Sequence, residues 1–176
     1  MKASSDPFKT AAIMLGLLMF TGGIFTAADP PVGFWGTLGY GFAYSPTGEY
    51  ESLYGSLYSG LTYMKDNHSF TLRACGNLGF GSNLDVELLF DLGVLYSWVR
   101  ARAPFMISAG AGLGYLRVAG NSEEEDIDTI GIPLEVKAFF RPVPVLGVGV
   151  CGFGNLNLER SFFGVAFCLQ AGFWRD

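Results

Sequence analysis

Charge is scarce in this 176-residue chain: 11 Lys plus Arg and 16 Asp plus Glu make up 15% of it, against roughly 25% in an ordinary soluble domain. There is no basic excess either. The formal net charge of −5 lacks the electrostatic footprint of a nucleic-acid-binding protein. Histidine occurs once and cysteine three times, so no second His and no closely spaced Cys completes a zinc site. Beyond residue 28 no apolar run approaches the ~18 residues that read as a membrane helix. What is abundant is glycine, at 25 residues, together with 16 Phe and 8 Tyr in a chain that is 50% hydrophobic. An apolar chain without long apolar runs has to carry its hydrophobicity in alternation.

The N-terminal segment stands apart. Lys2 and Lys9 precede the apolar run from Ala11 to Phe20, which is too short to span a bilayer as a stable helix. Thr26, Ala27 and Ala28 then supply the small residues that signal peptidase prefers. We therefore expect residues 1–28 to be a cleaved signal peptide and residues 29–176 to form one domain. The absence of a Cys after the apolar run argues against a lipoprotein.

From residue 32 onward the period is two, in eight segments of strand length separated by turn residues. Phe34, Leu38, Tyr40, Phe42 and Tyr44 share one face of the first segment, and Thr37, Gly39, Gly41 and Ala43 share the other. The later segments repeat this division, down to Phe163, Val165, Phe167, Leu169 and Phe173 against Gly164, Ala166, Cys168 and Gln170. A soluble lipocalin-like carrier would turn the apolar face inward and solvate the other with Lys, Glu and Thr. Here the other face is mostly Gly, Ala, Ser and Cys, which suits the crowded interior of a narrow barrel, while a continuous apolar face suits lipid. Charges in the apolar phase fall at strand ends, as with Lys65, Arg100 and Arg117. A bilayer imposes that pattern, since Arg or Lys at the midplane costs about 2–4 kcal/mol and far less near the interface. The predicted fold is all-β: an eight-stranded antiparallel up-and-down transmembrane barrel.

Interfacial aromatics complete the picture. With both termini periplasmic, one girdle holds Phe34, Tyr63, Phe70, Trp98, Phe105, Phe140 and Phe173, and the other Tyr44, Phe80, Tyr115 and Phe163. Tight periplasmic turns are expected at Lys65 to His68, Val99 to Pro104 and Arg141 to Pro144. Outer loops are expected at Pro46 to Tyr50, Gly81 to Asp85, Ala119 to Thr129 and Asn155 to Arg160. Pro133 lacks a ladder donor and predicts an irregularity or bulge near the outer rim.

This arrangement of strands, girdles and an aromatic final strand ending Ala171-Gly-Phe-Trp174 resembles the OmpA/OmpX-type outer-membrane barrels. The resemblance covers residues 29–176, although the chain continues past the terminal aromatic with Arg175 and Asp176. It implies a monomer in the bacterial outer membrane with a structural or surface-interaction role and no cofactor.

The inward phase collects Arg73, Glu87, Asp91, Glu135, Lys137 and Arg141, which in a narrow lumen must pair with one another. Arg117 and Tyr115 are the expected outer-interface contacts to lipids, lipopolysaccharide included, and the 119–129 loop is the expected site for an extracellular partner. Cys151 and Cys168 are candidates for a cross-strand disulfide, small buried thiols being the other reading. The acidic run Glu123 to Asp128 lacks EF-hand spacing and reads as a solvated loop. Outer-membrane lipid A deacylases and palmitoyltransferases resemble this architecture and use His and Ser, so an enzyme of lipid A acyl chemistry is the alternative from another class. His68 and Ser69 are adjacent, however, and successive strand residues point to opposite faces. No catalytic residue is assigned.

Overall fold

In the computed structural model, which describes residues 32–46, 52–80, 86–120 and 126–175, the period-two pattern becomes eight strands. They are β1 (Val32–Ser45), β2 (Ser52–Lys65), β3 (His68–Phe80), β4 (Val86–Arg102), β5 (Phe105–Gly120), β6 (Ile127–Val143), β7 (Leu146–Leu156) and β8 (Phe162–Arg175). Each pairs antiparallel with its sequence neighbour, and β1 closes on β8 through registers such as Phe34↔Phe173 and Tyr44↔Phe163. Closure removes every sheet edge, so no strand is left with an unpaired ladder. The segment 1–28 expected to be a leader lies outside the described residues.

Alternation assigns the faces as expected. Along β1 buried and exposed residues alternate, with Leu38, Tyr40 and Phe42 more than half exposed while Trp35, Thr37 and Ala43 are buried. The exposed belt continues round the barrel, including Leu113, Ile130, Phe167 and Phe173 at 70–77% exposure. An apolar surface of this extent is far beyond the few hundred Å² that soluble monomers expose. It is the wall that faces lipid.

Small inward residues let the strands close tightly. A methyl group added at Gly112 would run into the Val94 carbonyl, and one at Gly41 into the Val165 carbonyl. Larger inward side chains, among them Trp35, Tyr54, Tyr58, Leu89 and Phe153, then fill the lumen.

At one mouth, where β1 begins and β8 ends, two-residue turns at Asp66–Asn67, Ala103–Pro104 and Pro144–Val145 join the strands. Asp66 sits at φ 59°, a left-handed conformation that Asp tolerates better than most residues. The opposite mouth carries the longer connections. Pro133 causes a lapse in β5–β6 pairing opposite Gly112 and Leu113, but the ladder resumes at Gly114↔Gly131 in unchanged register. The irregularity is therefore a gap and not a bulge. The register shift of β6 lies instead between Phe140 and Val143, near the tight turn to β7.

Candidate functional site

Among the described residues the polar groups gather in the lumen and at the two mouths. At mid-barrel Arg73 on β3 forms a buried ion pair with Asp91 on β4, and both side chains are 0% exposed. Two further bonds hold the guanidinium, to the Leu134 carbonyl at 2.8 Å and the Gly154 carbonyl at 3.0 Å. Asp91 also accepts from Asn155 Nδ2 at 2.5 Å. Beside this group Lys137 and Glu135, two residues apart on β6 and so on one face, pair at 2.6 Å. Tyr58 donates its hydroxyl to Glu135 across the lumen, and the Lys137 ammonium stands 5.8 Å from the centre of the Tyr58 ring. Two cations and two carboxylates thus balance. Isolated buried charges would each carry a desolvation penalty of several kcal/mol, which pairing and added hydrogen bonds offset.

The expected lumen residues do not form one network. Glu87 sits toward the longer-loop mouth, where Arg160 pairs with it at 2.7 Å and Tyr54 donates to it at 2.6 Å. Arg141 stands at the opposite mouth and donates to the Pro144 carbonyl at 3.1 Å. On the outside of the longer-loop mouth, Arg117 pairs with Asp126 at 2.7 Å, and Tyr115 donates to Asp128 at 2.5 Å.

No protein-family model matches the chain, and no curated protein matches its sequence. Solved structures do match. Neisserial surface protein A aligns with a TM-score of 0.66 at 12% identity over 78% of this chain and 96% of its own. Ail, the attachment invasion locus protein of Yersinia pestis, aligns at 0.58 with 13% identity, over 84% of this chain and 100% of its own. The chain has the fold of the OmpA/OmpX-type outer-membrane barrels. The N-terminal barrel domain of OprF from Pseudomonas aeruginosa adds a third likeness, with a TM-score of 0.53, 13% identity, and coverage of 80% and 97%. At such identities the likeness is one of fold.

Within the barrel the lumen is filled. Arg73, Asp91, Tyr58 and Lys137 have at most 2% of their surface accessible, so these side chains pack the middle of the barrel. His68 is exposed on the lipid face near the tight turns, where Tyr96 OH lies 2.6 Å from its Nδ1, whereas Ser69 is buried on the lumen face. The two do not form a nucleophile and base.

Cys151 and Cys168, the candidates for a cross-strand disulfide, do not face each other. The β7–β8 hairpin is centred between Leu158 and Glu159, one residue earlier than facing cysteines require, so Cys151 lies across from Ala166 and Cys168 across from Gly149. Asn157 organises this turn, its Oδ1 accepting from Glu159 N at 3.0 Å and Arg160 N at 2.6 Å. Cys75, Cys151 and Cys168 are all buried free thiols.

Sequence reasoning missed the partners Arg160, Tyr54 and Tyr58. A signal for the tyrosines was present, since they are large hydroxyl-bearing residues on a face where Ser56, Gly60 and Thr62 are small. Arg160 lay in a loop, where alternation assigns no face.

Proposed function

We propose that this barrel works at its surfaces, as an outer-membrane protein supporting the membrane or engaging a partner, and that it carries out no chemistry of its own. The observation that carries this reading is how the polar groups are distributed. The lumen carboxylates and cations are committed to one another, while the outward wall is a continuous apolar belt ending in exposed charges at Arg117, Asp126 and Asp128.

In this reading Tyr115 and Arg117 meet the outer leaflet. Their ion pairs and hydrogen bonds are exposed, and water and salt screen such pairs, so lipopolysaccharide phosphate can replace Asp126 at Arg117 at small cost. The 119–129 connection is the site for an extracellular partner. The mature protein is monomeric and begins at Asp29 after removal of the leader.

The deciding experiment is membrane fractionation followed by electrophoresis in SDS with and without boiling. We expect the protein in the outer-membrane fraction, with a band that shifts on heating. Recovery as a soluble periplasmic protein without a shift would overturn the proposal and return the soluble carrier. N-terminal sequencing of the extracted protein checks the leader. Mass spectrometry of lipid A from cells expressing H68A or S69A checks the absence of acyl chemistry. An acylation pattern that depends on either side chain would establish an enzyme.

A further inference from the structure

The two mouths of the barrel carry opposite charge. At the tight-turn mouth Lys65, Arg100, Arg102 and Arg141 stand at strand ends, and Asp66 is the one carboxylate there among the described residues. At the other mouth Glu87, Asp126, Asp128 and Glu159 outnumber Arg117 and Arg160 among the described residues.

The cations of the tight-turn mouth are not evenly spread. Register sets Lys65 on β2 beside His68 on β3, and His68 beside Trp98 on β4. All three are exposed on the lipid face. Arg100 and Arg102 occupy the next two outward positions along β4, the second paired with Phe105 on β5. One row deeper into the wall, Tyr63, Phe70 and Tyr96 again stand side by side, the Phe70 and Tyr96 rings 5.3 Å apart. Tyr96 in turn stacks on His68 at 5.5 Å. An arc of three strands, β2 to β4, therefore presents a row of aromatic rings beneath the cations Lys65, Arg100 and Arg102.

Each layer has a matching depth in a bilayer. Aromatic rings settle at the headgroup boundary, and Lys and Arg lay their stems along apolar surface while their charged ends reach the phosphates. A zwitterionic headgroup brings its own cation and gains little from this row. A headgroup with net negative charge gains from each member. We propose that the β2–β4 arc at the tight-turn mouth is a binding surface for anionic glycerophospholipid, recognised through its phosphate by Lys65, Arg100 and Arg102. The inference rests on the membrane reading above and adds a lipid class, a leaflet and a facet of the wall.

The test uses the full chain refolded into phosphatidylcholine vesicles carrying a trace of spin-labelled phosphatidylglycerol or spin-labelled phosphatidylcholine. The share of label immobilised at the protein is read by electron paramagnetic resonance. We expect phosphatidylglycerol to be enriched over phosphatidylcholine by up to about five-fold at low salt, the effect of one engaged cation, and the preference to shrink as salt screens it. The K65Q/R100Q/R102Q variant is expected to bring the ratio close to one. K65Q alone, on an exposed turn residue, is expected to lower it in part and carries the test if the triple variant does not refold. Equal immobilisation of both labels by the unaltered chain, or a ratio untouched by these substitutions, would overturn the proposal. A chain that gives no heat-dependent gel shift has not entered the vesicles, and that outcome overturns the membrane reading instead.

Discussion

Arg73 and Arg117 make the same kind of contact in opposite surroundings. Arg73 is 0% exposed, and its partner Asp91 is equally buried. Arg117 is 50% exposed, and Asp126 is 46% exposed. Water and salt surround the second pair, so its Coulomb gain is small and is offset by ordering two long side chains. The first pair has lost its water, and its partners are all that compensate. Breaking an ion pair at the centre of this barrel therefore costs stability, whereas breaking one at the rim leaves it almost untouched.

Removing one partner at the centre tests this most severely. R73M leaves Asp91 buried without its counter-ion, and we expect a loss of about 3–5 kcal/mol, measured as a lowered midpoint of urea unfolding in lipid vesicles. The double variant R73M/D91L is expected to recover part of that loss, because no unpaired carboxylate remains. A single variant as stable as the unaltered chain would contradict the assignment of Arg73 to the closed lumen.

Moving a charge from the lumen to the wall sharpens the same contrast. Leu38, at mid-strand and 69% exposed, faces the hydrocarbon, and L38R should cost about 2–4 kcal/mol. Y44R, near the end of the same face, should cost about 0–1 kcal/mol. Equal costs at the two positions would mean that the wall has no lipid gradient across it. An intermediate effect is expected from Y58F, which deprives Glu135 of one hydrogen bond while leaving its pair with Lys137. Hydrogen bonds to charged groups contribute about 1.5–3 kcal/mol, and urea unfolding should place Y58F between R73M and the rim variants.

The architecture was legible because each strand repeats one physical instruction. In β1 and β8 every large apolar residue that alternation assigned to the wall, from Phe34 to Phe173, lies there. The Arg73–Asp91 and Glu135–Lys137 pairs were equally open to reading, since adjacent strands or a spacing of two put them together. Contacts across the lumen were not. Tyr58 and Glu135 are 77 residues apart, and their meeting depends on strand stagger accumulated round the barrel, which no local pattern encodes. The Cys151–Cys168 register was lost for a related reason. The β7–β8 hairpin is centred one residue earlier than facing cysteines require, and in a sheet one residue of turn placement becomes two residues of cross-strand offset.

The smallest expected effect is at Arg117, and it tests the comparison from the other side. R117Q removes the pairs with Asp126 and Asp128 and leaves two exposed carboxylates that water can solvate. Its shift of the urea midpoint should be the smallest of these variants, and the difference from the unaltered chain should shrink further at high salt. Lipid should respond differently. If Arg117 exchanges Asp126 for a phosphate in the outer leaflet, the unaltered chain gains stability when lipopolysaccharide is added to the vesicles and R117Q gains less. A stability loss of R117Q as large as that of R73M, in vesicles without lipopolysaccharide, would mean that the rim pair is structural. The division between a stabilising lumen and an exchangeable rim would then fail.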